Sequence, residues 1–337
     1  MIRPRLFLLM VAILIGLVVA VNIYAAAGDP FIGATPQQQV VLDNSWDLAG
    51  GKLRHAAQTP RYDIGVFGNS RALDVNAADL DLGPHCRFFN FALAGESLRG
   101  SAALLERLAA DGKAPRLAVV SIDNFELQTY ANPMFLPAWP RWRQALADLV
   151  SDAEITWRER ATMAWRVLYT ENELAKRPFN IELLHANLEI LLGIVPATAT
   201  TNVAGRGYRA DGSRTQPEPP REPPSELPWP QSRQVLGGYL AYDLARLAQL
   251  RARGTDVVVY ESSIDPRSAA RAPSALARDG RAQFAAACRA VGLDCHAASA
   301  RLPGDDGFWR DSNHAPAGPL NRYVRGLIAD KTGFCRP

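Results

Sequence analysis

Lysine is nearly absent from this chain. Lys52, Lys113, Lys176 and Lys331 are the whole set, so arginine carries almost all the basic charge. With 37 Lys+Arg against 34 Asp+Glu, the net charge of +3 is too small to imply a nucleic-acid partner. The arginines are spread along the chain among alanines, which argues against a phosphate-binding patch. Paired cysteines are missing as well: Cys86, Cys288, Cys295 and Cys335 contain no CxxC, and that excludes the usual structural zinc spacings. No residue cluster calls for a metal or a cofactor. An apolar content of 48% excludes general disorder, and 337 residues suffice for one large domain or one domain with an insertion.

Charge is lacking altogether from Leu6 to Ala27, behind the basic Arg3 and Arg5. The run is long enough for a transmembrane helix, and the two arginines place the N-terminus in the cytoplasm. A cleaved signal peptide is the rival reading, because Ala25-Ala26-Ala27 resembles a small-residue cleavage site. The length of the run favours a single-pass inner-membrane anchor. Under either reading the remaining chain works in the periplasm or another extracytoplasmic space. Oxidising conditions there allow one or two disulfides. Of three possible pairings Cys288–Cys295 is the expected bond, since it flanks a helix end and the next strand.

Residues 1–27 thus read as the anchor and 28–60 as a juxtamembrane segment. From Tyr62 an α/β alternation begins. Ile64–Phe67, Phe88–Leu93 and Leu117–Ile122 are short apolar runs separated by helix-length stretches, including Ser101–Ala110. They predict parallel strands joined by right-handed crossovers. The alternation resumes at Leu236 with a helix to Arg253 capped by Gly254, a strand at Asp256–Tyr260, and a helix from about Pro273 to Val291 stopped by Gly292. A strand within Leu293–Ala297 and a last helix, Gly318–Ala329, complete the pattern. The expected fold is a flavodoxin-like α/β sheet with helices on both faces, built from 61–130 and 235–337. Residues 131–234 form a helical, Pro-rich insertion. Its Trp139, Trp142, Trp157 and Trp165 read as packing residues, or as an acceptor-binding lid. Gly205-Arg206-Gly207 and Asp211-Gly212 within it are turn signals, with a role near the active site as the second reading.

Two short segments about 240 residues apart carry the chemistry: Gly68-Asn69-Ser70-Arg71 and Asp311-Ser312-Asn313-His314. Ser70 follows the first strand on a strand-to-helix turn. A serine hydroxyl attacks at neutral pH when an imidazole takes its proton, and a carboxylate on the other ring nitrogen orients that base. Ser70, His314 and Asp311 supply those three parts. The blander readings are Ser70 as a helix cap and Asp311/His314 as a surface turn pair.

Together with Asn90-Phe91-Ala92-Leu93-Ala94-Gly95 and Ile122-Asp123-Asn124, these segments follow the order of the SGNH/GDSL hydrolase blocks. The chain resembles that superfamily over roughly residues 60–130 and 235–330. The resemblance is closest to membrane-anchored proteins of alginate and cellulose O-acetylation and of teichoic-acid D-alanylation. It implies Ser70 as nucleophile, His314 as general base and Asp311 as orienter. The N–H groups of Ser70 and Gly95 would be oxyanion donors, with Asn124 as a third donor shifted by one position. The sequence departs from the pattern twice, with Gly-Asn-Ser for the usual Gly-Asp-Ser and Asp123-Asn124 where Gly-x-Asn-Asp is usual. An Asp123 carboxylate facing an oxyanion would be unfavourable, so it is expected elsewhere, holding the Ser70 loop. The implied function is O-acetyl transfer to, or ester hydrolysis on, an envelope polysaccharide or acylated carbohydrate, with a membrane O-acyltransferase as partner. The alternative is a scaffold or carbohydrate-binding subunit whose catalytic residues have drifted.

Overall fold

The computed structural model describes residues 4–26, 45–94, 96–123, 157, 207–209, 211–215, 237–269, 274–298, 302, 309 and 314–335. Five strands build one parallel sheet: β1 (Ile64–Phe67), β2 (Phe88–Asn90), β3 (Leu117–Ile122), β6 (Asp256–Glu261) and β7 (Asp294–His296). Between β3 and β6 in the sequence, β4 (Gly207–Tyr208) and β5 (Arg214–Thr215) pair as a separate antiparallel hairpin. The sheet order is β2-β1-β3-β6-β7. In order of appearance within this sheet that is 2-1-3-4-5, the order of flavodoxin-like doubly wound sheets, with the switch point beside β1 and β3.

The middle strands are buried along their whole length. Ile64, Val66 and Phe67 in β1, and all six residues of β3, are almost wholly inaccessible. Continuous apolar strands of this kind need cover on both faces. The helices are α2 (Ser45–Gln58), α3 (Ala77–Leu80), α4 (Leu98–Ala110), α5 (Gly237–Gln249), α6 (Pro266–Ala269), α7 (Ser274–Val291) and α8 (Ala317–Ile328). Packing groups α4, α5 and α7 together, and α3 with α8. Right-handed crossovers from a 2-1-3-4-5 sheet produce this division. Gly254 (φ 78°) and Gly292 (φ 68°) close the preceding helices in the left-handed conformation that a side chain would resist.

β1 and β3 coincide with the predicted runs, but β2 ends at Asn90 instead of Leu93. There the Asn90 side chain takes the Ala92 N–H at 2.8 Å, and this local turn ends the regular strand. Residues 45–58 lie within the segment read as juxtamembrane. They form α2, whose Lys52, His55 and Ala56 are buried against the sheet domain. Lys52 donates to the Ala92 carbonyl at 2.7 Å and the Gly212 carbonyl at 3.0 Å. Within 131–234, residues 207–215 are the β4–β5 hairpin and not helix. Trp157 is helical and 79% exposed, so its ring is not packed; Trp139, Trp142 and Trp165 lie outside the described residues.

α1 spans Pro4–Ala26 as one helix, and its Leu9, Met10, Ile13, Leu14 and Leu17 side chains are exposed. Among the described residues taken alone, no helix is long and apolar enough to cross a membrane. In α1, however, side chains are described only at Leu6 and from Leu9 to Val21. Two disulfides form. Cys288–Cys295 is the expected one; Cys86–Cys335 ties the loop before β2 to the last turn of the chain.

Candidate active site

Ser70 sits just beyond the C-terminal end of β1, at the switch point of the sheet, where open α/β sheets hold their ligands. The chain leaves β1 through Gly68, whose φ is 133°. A Cβ there would stand 2.6 Å from the Ser121 Cβ on the neighbouring β3. Glycine is therefore required on both conformational and steric grounds. From 244 positions along the chain, His314 Nε2 lies 2.9 Å from the Ser70 hydroxyl oxygen, hydrogen-bonded to it. Both side chains are half-buried, so a ligand has access. Asp311, Gly95 and Asn124 lie outside the described residues.

Ser70 does not open a long helix. Turns run from Ser70 to Asp74, and the four-residue α3 begins at Ala77. Ala72 and Val75 donate their N–H groups to the Asn69 and Ala72 carbonyls at 3.0 and 3.2 Å, and further donors reach the carbonyls of this stretch from outside. Asn90, wholly buried, donates its amide to the Ala72 and Val75 carbonyls at 2.8 Å each. Asn321 on α8 donates to the Asp74 carbonyl at 3.1 Å and accepts the Asn76 N–H at 3.0 Å. Because α8 begins three residues after His314, Asn321 also sets His314 against Ser70. Removing Asn90 strips the buried Val75 carbonyl of its amide donor, at about 1–3 kcal/mol, whereas the Asp74 carbonyl keeps the Asn76 amide at 3.3 Å when Asn321 is removed.

Asp123 accepts the Asn69 amide at 2.8 Å and pairs with the buried Arg71 guanidinium at 3.3 Å. The two departures from the hydrolase blocks thus meet in one contact. An aspartate at 69 would set carboxylate against carboxylate. Asp123 holds the Ser70 turn, as the sequence reading expected.

The β4–β5 pairing and Arg214 are the part of the site that sequence reasoning did not place. Arg214 makes a two-pronged bond to Asp74 (2.9 and 2.7 Å), and its N–H donates to the Leu73 carbonyl at 2.8 Å. Asp211 accepts the Ala77 N–H through its carboxylate and the Asn90 N–H, on the free edge of β2, through its carbonyl. The Asp211-Gly212 turn signal was visible, but nothing local in the sequence points it at Ser70.

Glu96, next to Gly95 at the entry to α4, is almost fully buried. Its carboxyl accepts the Ser97 N–H at 2.8 Å and fills the space left by Gly100, where a Cβ would meet it at 1.8 Å. Burial raises its pKa from 4.5 to about 8, while the Ser97 N–H and hydroxyl oppose the shift. Between those two values the native chain keeps a proton that the unfolded chain has lost. Its contribution is therefore complete below pH 4.5 and lost as the pH rises through about 8. Glu96→Gln is expected to flatten that decline, read as Tm against pH. Parallel profiles for the two proteins would show that Glu96 is not its source.

The chain matches no family model, no curated protein and no solved structure.

Proposed function

We propose that this chain is a membrane-anchored, extracytoplasmic serine acyl-ester enzyme of the SGNH type, acting on a cell-envelope polysaccharide. The observation that carries the reading is the 2.9 Å bond between Ser70 and His314, brought together from opposite ends of the fold at the ligand-binding edge of the sheet. The Ser70 oxygen attacks the acyl carbonyl while its proton passes to His314 Nε2. Asp311 holds the other ring nitrogen, and the N–H groups of Ser70 and Gly95, with the Asn124 amide, receive the charge on the carbonyl oxygen. Collapse of the tetrahedral intermediate breaks the bond to the leaving oxygen, which takes the proton from His314. Acyl-Ser70 remains. A sugar hydroxyl or water then gives its proton to His314, attacks the acyl carbon and frees Ser70.

α1 is the anchor in this reading, with the domain outside the cytoplasm, where both disulfides are stable. The tether holds Ser70 near a membrane O-acyltransferase, raising the effective concentration of acyl donor. Transfer to a sugar hydroxyl is therefore expected to compete with hydrolysis. The test supplies the full chain with an activated acetyl ester and envelope oligosaccharides, and follows products by mass spectrometry. Free acetate as the only product would make the protein an esterase. No product, together with no labelling of Ser70 by a fluorophosphonate, would leave the scaffold or carbohydrate-binding reading.

A further inference from the structure

The β4–β5 hairpin comes from the segment that interrupts the α/β alternation, yet it braces the turn carrying the nucleophile. We infer that Arg214 is a positioning residue for Ser70: through Asp74 and the Leu73 carbonyl, the hairpin fixes the turn that aims the serine at His314. This inference rests on the acyl-Ser70 reading.

The need for a brace follows from the local backbone. A nucleophile at the head of a long helix is held by the hydrogen bonds of that helix. Here only turns follow Ser70, and a four-residue helix supplies little support. The turn is held instead from three directions: by Asp123 at Asn69 and Arg71, by Asn90 and Asn321 at its carbonyls, and by Arg214 at Leu73 and Asp74. Arg214 supplies the only one of these braces that comes from the intervening segment. Its planar fork matches the carboxylate with two bonds and resists rotation, which one ammonium point charge does not. Arg214 and Asp74 are both buried, so water does not weaken the bond. The hairpin is itself fastened at its turn, where buried Lys52 donates to the Gly212 carbonyl and Asp211 holds the Ala77 and Asn90 N–H groups.

A displacement of Ser70 by about 1 Å is enough to slow attack about 100-fold. Single removal of Arg214 would take both forked bonds from the buried Asp74 carboxylate, and the fold itself would suffer. The discriminating variant is the double substitution Asp74→Leu with Arg214→Met, which removes both charges and keeps apolar volume. A stability-matched double variant separates positioning from simple loss of fold.

The full chain in detergent is reacted with a fluorophosphonate, and hydrogen exchange is followed over residues 70–76. The double variant is expected to keep a Tm within a few degrees of the parent. It should label Ser70 about 100-fold more slowly and exchange the Ala72 and Val75 amides faster. Arg214→Lys, which keeps the charge without the fork, should recover only part of the rate. Labelling at the parent rate in the double variant overturns the inference. If the parent itself fails to label, the acyl-Ser70 reading falls, and exchange decides the bracing separately: unchanged protection of Ala72 and Val75 overturns it.

Discussion

Ser70→Ala and His314→Ala are each expected to lower turnover of a small acetyl ester by about 10⁴-fold or more, with Tm close to the parent value. The expectation follows from the division of labour in the dyad. Without His314 the hydroxyl keeps its proton, and without Ser70 the imidazole has no nucleophile to activate. Because the two act as one unit, the double variant should be little worse than either single one. Neither side chain is fully buried, so the fold has little reason to fail. Turnover by Ser70→Ala at the parent rate would end the assignment of Ser70, and additive losses would show that the pair does not act together.

The second large effect concerns the disulfides. Cys86–Cys335 joins residues 249 positions apart, whereas Cys288–Cys295 spans 7. The entropy that a crosslink removes from the unfolded chain grows with the logarithm of the loop. The long bond is then worth about 5 kcal/mol and the short one about 2. The long bond also closes the domain, because it holds the loop entering edge strand β2 to the end of the chain. Replacing Cys86 and Cys335 by serine should lower unfolding stability in urea more than replacing Cys288 and Cys295. The opposite order would mean that the long loop is already held by the packing of α8 on α3 without its crosslink.

Much of the fold was legible because its signal is local. Four to six apolar residues between turn formers announced β1 and β3, and Gly254 and Gly292 announced the helix ends. Asn90 was visible as the start of a motif segment and Asn321 only as a polar residue beside Leu320, and neither showed what its amide would bond. Their partners lie on other elements, up to 247 positions away for Asn321 and Asp74, and no spacing rule links them. α2 was missed for a related reason. Its sequence has few apolar residues, and the burial of Lys52 depends on carbonyls that only the folded sheet and hairpin present. Ser70 and His314, which the fold brings to 2.9 Å, were legible as motifs. The Arg214–Asp74 brace was not, because arginine and aspartate occur throughout the chain and nothing marks this pair.

The early start of the folded body has a spatial consequence. Helix α1 ends at Ala26, and α2, already part of the domain through Lys52, begins at Ser45. Nineteen peptide steps separate those residues, and a fully extended chain covers at most about 65 Å over that count. On the proposed reading, with α1 in the bilayer, this distance sets a ceiling on how far above the lipid the domain can begin, and so on how high Ser70 can work. Polymer strands within that height would be inside its working volume, and those farther out would not. The modification would then be graded by depth in the envelope, densest next to the membrane.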